Sequence, residues 1–407
     1  MKKKIAIIGG GAAGFFTAIN IAENTNNADI TIYEGSNKVL AKVLISGGGR
    51  CNVTNIITES KALCQNYPRG YDFLEPVFRK FSSDDTRVWF EKRGVPLKIE
   101  EDGRVFPVSN SSLSIYNCLV DATKSLGIRV IKGKRLTGFN RLNSDWELKF
   151  NQETETCDFL VLASGSNQQV YSLIKTKGIG LVAPLPSLFT FNASKHHLLE
   201  YAGLSVKHAS TSIKEINKSN EQGPLLITHW GYSAPSILKL SAWYARELAD
   251  LDYKFNLVIN WGSYDIKSLT AIFQKFTSEK PKDKVISWKE HGLPKRLWHH
   301  IVQYSELKEY TNWSEIGKKG IRRLVNALCS YTVAINGKST FKEEFVTAGG
   351  IDLNEVNSEN MSISTYPNLF ALGEVLNIDA ITGGFNFQAA WSEAYCLSIG
   401  LVGVVDN

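Results

Sequence analysis

The chain is predicted to be an α/β protein built around a parallel sheet, either as two domains or as one domain carrying an inserted second. Three observations carry this. An apolar strand, a glycine turn, a helix and a second strand follow one another between Lys3 and Glu34. Two later apolar runs end in small-residue turns, at Ser164-Gly165 and at Gly373-Glu374. The 407 residues also exceed what a single domain usually holds.

Composition sets the outer limits. At 43% hydrophobic and 21% charged residues the chain is ordinary globular material. The longest apolar stretch, "KIAIIGGGAAGFFTAINIA", is rich in glycine and interrupted by Asn20, so no membrane span is expected. The start "MKKKIAIIGGG" runs into a Gly-x-Gly turn rather than a cleavage site, which points to a cytoplasmic protein. Six scattered cysteines, with no Cys-x-x-Cys pair and no histidines at zinc spacing, read as reduced thiols, and no metal is proposed. The formal charge of +6 is modest. The basic clusters "KPKDK", "LPKR" and "KKGIRR" lack interleaved aromatics, so they read as solvated helix faces and nucleic acid is disfavoured as a partner.

Ile5 to Ile8 has the length and content of a buried parallel strand. Gly9, Gly11 and Gly14 then satisfy Gly-x-Gly-x-x-Gly. In that pattern the first glycine makes the tight turn, the second lets a pyrophosphate approach the backbone, and the third lets helix pack on strand. Ala12 to Glu23 reads as the helix, whose N-terminal amides and dipole suit a phosphate. A second strand, Asp29 to Tyr33, ends at Glu34, near the spacing at which a carboxylate accepts hydrogen bonds from an adenosine ribose. The unit predicts an adenine dinucleotide and leaves NAD and FAD open.

A second glycine turn, "SGGGRCNVTN" from Ser46 to Asn55, follows soon after the first. A nicotinamide dehydrogenase has no evident need for it, whereas the longer FAD must be gripped beyond its pyrophosphate. Glycines 47 to 49 let backbone amides approach a ligand, Arg50 can neutralise a phosphate, and Ser46, Asn52 and Thr54 offer hydrogen bonds. Further on, "EEDGRVFPVSNSS" reads as a hairpin turning at Asp102-Gly103 and leading to a helix capped near Ser111 or Ser112. An antiparallel meander then returns to an apolar strand, Phe159 to Ala163. Near the end, "PNLFALGEVLNIDAITGGFNFQAAWSEAYCLSIG" reads as a strand, a loop with Asp379, a Gly383-Gly384 turn, and a helix from about Asn386.

Together "GGGAAG", "SGGGRCNVTN", "GRVFPVSN", "THWGYSAP", "TAGGI" and "GEVLNIDAITGGFNFQAAWS" resemble the HI0933-like (BaiN-type) flavoproteins, which are NAD(P)/FAD-dependent oxidoreductases. The resemblance implies a two-dinucleotide-binding, Rossmann-like FAD domain made of residues 1–187 and 344–407, interrupted by a β-barrel and helical insert over 188–343. It implies that Gly9, Gly11, Ala12, Ala13, Gly14 and Glu34 hold the ADP half, with Ser164 and Gly165 nearby. Lys42, Ser46, Gly49, Arg50, Cys51 and Asn52 would lie along the pyrophosphate and ribityl chain or beside the ring. Gly373, Glu374, Gly384, Phe385, Asn386 and Phe387 would close on the flavin.

Other chemistries fit less well. "GYSAP" approaches a nucleophile elbow but ends in proline, which lacks the amide and the turn freedom that motif needs. Cys51 beside Arg50 has the look of an activated thiol, but no partner cysteine accompanies it, so packing is the preferred reading. The expected activity is flavin-mediated hydride transfer, with NAD(P)H as transient co-substrate, to a small organic molecule such as an activated alkene, a ketone or an amine. No side chain is assigned a catalytic role. The alternatives are a flavoprotein that modifies tRNA and a non-catalytic FAD-bound sensor or scaffold.

Overall fold

The computed structural model describes residues 2–151, 153–193, 196–339 and 346–406. The predicted nucleotide-binding unit forms as β1 (Lys3–Ile8), α1 (Ala12–Asn24) and β2 (Ala28–Glu34). Three further strands join the same sheet: β3 (Arg129–Lys132), β4 (Phe159–Leu162) and β5 (Leu369–Ala371). The order is β5-β4-β1-β2-β3, and every pairing is parallel. Ile5 to Ile8 and all of β4 are buried, as strands covered on both faces must be, which explains their unbroken apolar sequence.

The chain runs from β1 outward through β2 to β3 and then returns to the other flank of β1 as β4. Strand order therefore reverses between β1 and β4, and the crevice beyond their carboxyl ends is where open α/β sheets take ligands. The return from β3 passes through the predicted meander, Gly138–Leu142, Asp145–Phe150 and Glu153–Cys157. The predicted hairpin is also present, with Leu97–Ile99 antiparallel to Arg104–Pro107 and Gly103 at φ +81° in the turn.

Helix α2 (Phe385–Val405) lies against α1. Phe16 and Trp391 place ring centroids 5.1 Å apart across this contact. Asn20, which interrupts the apolar run of α1, is buried here and accepts from the Trp89 indole at 3.3 Å while donating to the Phe16 carbonyl at 2.7 Å. An amide inside a core is tolerated when it is paired in this way. No helix among the described residues is long and apolar enough to cross a membrane.

The chain divides into two compact units, Met1–Pro186 with Phe341–Asn407, and Ser187–Thr340. The expected end of the insert, at Glu343, lies outside the described residues. Within the second unit a seven-stranded antiparallel sheet runs in the order Tyr331–Ile335, Phe255–Asn260, Ser205–Ile213, Glu221–Ile227, Gly231–Ser233, Thr190–Asn192, Gly337–Ser339. Helices Ile266–Glu279, Lys295–Tyr304 and Gly317–Cys329 pack with it around buried Trp261, Trp298 and Trp313. The first of these helices stops before Pro281, and Pro294 caps the second, as expected of a residue that cannot continue a helix but suits its start.

Candidate cofactor site

The three fingerprint glycines differ in what surrounds them. A Cβ on Gly9, which has φ +122°, would sit 2.2 Å from the Ala163 carbonyl oxygen, so only glycine lets β1 turn beside the end of β4. A Cβ on Gly14 would sit 2.1 Å from the Gly9 carbonyl oxygen, which is the close helix-to-strand approach. A Cβ on Gly11 would meet nothing within 4 Å. Gly11 is the N-cap of α1 and gives no side-chain cap, so the first amides of the helix receive no cap from it and carry the positive end of the dipole. Ala13 is buried in the same turn.

Glu34 ends β2 beside this opening. One carboxylate oxygen accepts from the Gly10 N–H at 2.9 Å and the other from the Ser36 N–H at 2.7 Å. These bonds fix the carboxylate at the rim of a cleft of about 190 Å³ whose walls include Gly9, Ser36, Arg135, Ser164 and Asn167. Asn167 is itself held, its side-chain oxygen capping the helix Gln168–Thr176 through the Gln169 and Val170 amides. Arg135 and Asn167 line the cleft without having been singled out in the sequence, because neither belongs to a motif.

The second glycine turn is a short helix, from Ala41, whose last residues break out of helical geometry. Gly47, Gly48 and Gly49 have φ of +57°, +67° and +80°, and Cys51 follows at +58°. A Cβ on Gly48 or Gly49 would meet nothing within 4 Å, so this stretch of backbone is also bare toward one side. Ser46 caps the turn, donating to the Val43 carbonyl at 2.9 Å while its own carbonyl accepts from Cys51 at 3.0 Å.

The polar residues after the turn have a different role from the one their sequence suggests. The Asn52 oxygen accepts from the Gly384 N–H at 2.9 Å and its nitrogen donates to the Val105 and Thr54 carbonyls. Asn55 donates to the Gly383 carbonyl at 3.1 Å, Thr54 donates to Gln388 at 2.5 Å, and the Trp391 indole donates to the Val53 carbonyl at 3.0 Å. A Cβ on Gly384 would sit 2.5 Å from the Thr54 oxygen. "CNVTN" therefore fastens the second glycine turn to the Gly383-Gly384 turn and the start of α2. Gln388 is the hub, since its side-chain oxygen also accepts from Thr86 at 2.9 Å and its nitrogen donates to Ser392 at 2.8 Å.

The remaining candidates divide in the same way. Arg50 pairs with Glu100 at 2.6 Å and lies 4.0 Å from the Phe106 ring centroid, so its charge is already engaged. Burial pushes the Cys51 thiol up to about 12, which makes it a packing residue and not a thiolate. Lys42 pairs with Glu374 at 2.5 Å, and the other oxygen of Glu374 accepts from the Thr347 amide at 3.0 Å. A Cβ on Gly165 would lie 3.6 Å from that carboxylate, which brings the turn after β4 to the turn after β5. Asn386 closes a loop on itself by bonding the Ala380 amide and carbonyl, Phe385 is buried and accepts from the Tyr67 hydroxyl through its carbonyl at 2.6 Å, and Phe387 stacks on Trp391.

Glu393 stands behind the Gly373 turn, wholly buried on α2. One of its oxygens accepts from the Gly373 N–H at 2.5 Å, and the other has no partner among the described residues. Burial pushes this carboxyl up to about 8, with the Gly373 N–H pulling the other way. The folded chain thus holds the proton more tightly than the unfolded chain, where a glutamate titrates near ~4.3. Its contribution to stability is complete below that value and is lost as pH rises through about 8. Glu393→Gln is expected to be level with the native chain in acid and more stable than it at high pH, read as the difference in Tm across the range. A difference that does not vary with pH would show that this carboxyl stays ionised or solvated.

The arrangement is a bare helix N-terminus, an acid-rimmed cleft at the end of β2, and a second bare glycine backbone. A dinucleotide extended by a flavin has a polar diphosphate, a ribose and a long ring system, and these surfaces fit that order of groups. The sequence profile of the HI0933-like protein Rossmann domain matches residues 3–399. The chain belongs to this family.

Relatives of this HI0933-like chain span nearly its full length. It is 25% identical over 411 residues to a ribosomal RNA dihydrouridine synthase of Haemophilus influenzae, covering 97% of each chain. It is 23% identical over 402 residues to a 3-dehydro-bile acid delta(4,6)-reductase of Clostridium scindens, covering 96% of this chain and 97% of that one. Among solved structures, 3-ketosteroid delta1-dehydrogenase from Sterolibacterium denitrificans matches with a TM-score of 0.51 at 12% identity, over 99% of this chain and 100% of that one. The E. coli quinol fumarate reductase chain FrdA matches at 0.52 and 11%, over 100% and 71%. At such identities the structures share the fold. The HI0933-like chain is an FAD-dependent oxidoreductase with a parallel-sheet, Rossmann-like core.

Proposed function

We propose that this protein uses NAD(P)H to reduce a carbon–carbon double bond conjugated to a carbonyl. The observation that carries the reading is that the two kinds of relative matched along the whole chain share this chemistry. Making dihydrouridine and removing a delta(4,6) unsaturation from a 3-oxo ring both saturate an alkene that a carbonyl activates. Overall, a hydride from the nicotinamide and a proton from solvent add across the double bond, and NAD(P)+ leaves.

Bound FAD supplies the hydride relay between the two substrates. The chain supplies position. The α1 amides behind Gly11 would hold the diphosphate, Glu34 the adenosine ribose, and the bare backbone of Gly48 and Gly49 would allow close approach further along the cofactor. Asn52, Thr54 and Gln388 keep the two glycine turns at a fixed separation, and Glu393 keeps its proton at neutral pH while bonding the Gly373 amide. In the same reading the inserted unit is a barrel, a reading supported by Tyr331–Ile335 and Gly337–Ser339 being the two end strands of its sheet and separated in sequence by Asn336 alone.

The test is anaerobic. NADH or NADPH is added to the yellow protein and is expected to bleach the visible flavin band, and a 3-oxo-Δ4-steroid or a uridine-containing RNA is expected to restore it with formation of the saturated product. Failure of both nicotinamides removes the donor. Failure of dithionite-reduced protein to be reoxidised by any conjugated enone or uracil removes the alkene reading.

A further inference from the structure

The charge of the chain is unevenly divided. Residues 187–340 hold 21 Lys and Arg against 13 Asp and Glu, a formal +8, whereas the rest of the chain holds 25 against 27, or −2. All of the net positive charge therefore belongs to the inserted unit. A polyanion is the ligand that such an imbalance favours.

One face of this unit is shaped for it. Helix Lys295–Tyr304 turns Leu297, Trp298 and Ile301 into the core and leaves Lys295, Arg296, Gln303 and Tyr304 exposed, with His299 half-buried. Glu200, Tyr201, Lys295, Arg296, His299 and Gln303 line an open depression of about 490 Å³. The Arg296 guanidinium carbon lies 5.3 Å from the Tyr201 ring centroid. Among the described residues neither Lys295 nor Arg296 has a carboxylate within ion-pair distance, so both charges remain available. Helix Gly317–Cys329 packs beside it and adds exposed Lys318, Lys319 and Arg322.

We infer that this face binds RNA, with phosphates against Lys295 and Arg296 and a base stacked at Tyr201. Cations alone would accept any polyanion. A ring flanked by a guanidinium and an open cavity adds the stacking surface that single-stranded nucleic acid uses. The basic clusters "LPKR" and "KKGIRR" lack aromatics in sequence, but folding brings Tyr201 to the first of them from about 95 positions away. The inference rests on the reading that the reduced alkene is a uracil carried within RNA.

The experiment uses the FAD-loaded full chain and a fluorescein-labelled, uridine-rich RNA hairpin, with anisotropy followed from about 50 to about 200 mM salt. Binding is expected to weaken steeply with salt. Lys295→Glu combined with Arg296→Glu should weaken it at least tenfold and flatten the slope of log K against log salt by about 1.4 to 1.8, which is two phosphate contacts. Tyr201→Ala should weaken binding about tenfold with the slope kept, as loss of stacking does. Flavin content per chain and Tm check folding, and Arg296→Ala, expected to flatten the slope by about 0.7 to 0.9, replaces the double variant if that one is unstable.

RNA unbound at low salt, binding and slope unmoved by the variants, or retention only on phosphatidylglycerol vesicles would each overturn the inference. Reduction of a free enone by the same native preparation keeps the two readings apart. If that reduction proceeds without RNA binding, only the RNA face is lost; if RNA binds and no alkene is reduced, only the proposed reaction is lost.

Discussion

Gly11→Val is expected to give a chain that folds but does not retain FAD, while Gly14→Val is expected not to fold. Gly11 has φ −92° and ψ −172°, a conformation that valine adopts freely, and its Cβ would point into empty space. The apo form should therefore melt as the native apo form does. Its side chain would stand where a diphosphate must approach the α1 amides, so FAD affinity should fall at least about a hundredfold, or about 2.7 kcal/mol. At Gly14 the same side chain meets a backbone oxygen that cannot move without displacing β1 from its neighbours. Overpacking against mobile side chains costs about 1–3 kcal/mol, and a fixed carbonyl costs more. Visible absorbance, chromatography of released cofactor and apo-form Tm read out both variants. A yellow Gly11→Val protein would show that no diphosphate lies at this helix.

Asp379→Ala is expected to lower stability by about 3–5 kcal/mol. The Asp379 carboxylate is wholly buried and forms a two-pronged ion pair with Arg69, whose side chain is only 14% exposed. Removing the acid leaves a guanidinium in a place with little water to solvate it. The pair also links the loop between the Gly373 and Gly383 turns to the segment around Arg69, which forms an isolated bridge with Asp379. FAD retention should fall with stability. Arg69→Met on top of Asp379→Ala should recover part of the loss, because the buried guanidinium that has lost its carboxylate is then gone too. Denaturant midpoints measure the three variants, and a loss below about 1 kcal/mol would place the pair with exposed salt bridges.

The parts of this molecule that could be read from sequence are those whose physical cause is local. β1, α1 and β2 follow from an apolar run, three glycines at fixed spacing and a terminal acid, and Gly9 and Gly14 make the close backbone approaches that their positions predict. The second glycine turn was legible for the same reason, since three successive left-handed residues require glycine. The partners of its polar residues were not. Asn52 could equally have faced a ligand, and only the fold reveals that it bonds Gly384. Arg50 looked like a phosphate ligand until Glu100 came within 2.6 Å. Gln388, Ser392 and Glu393 did carry a signal of their own: they are polar residues in a helix apolar on every side, and such residues are either paired in the core or functional.

The bonds between "CNVTN" and α2 join residues more than 300 positions apart: Val53 meets Trp391, and Thr54 meets Gln388. On a ribosome the second half of that clasp is made more than 300 residues after the first. Residues 187–340 make their core contacts among themselves and can reach their final state while the chain is still growing. The larger unit cannot, because its edge strand β5 and the helix that holds its second glycine turn are translated after everything they must close upon. Capture of the cofactor is thereby tied to synthesis of α2, and a chain halted before that helix would carry a finished inserted unit and a nucleotide fold unable to shut.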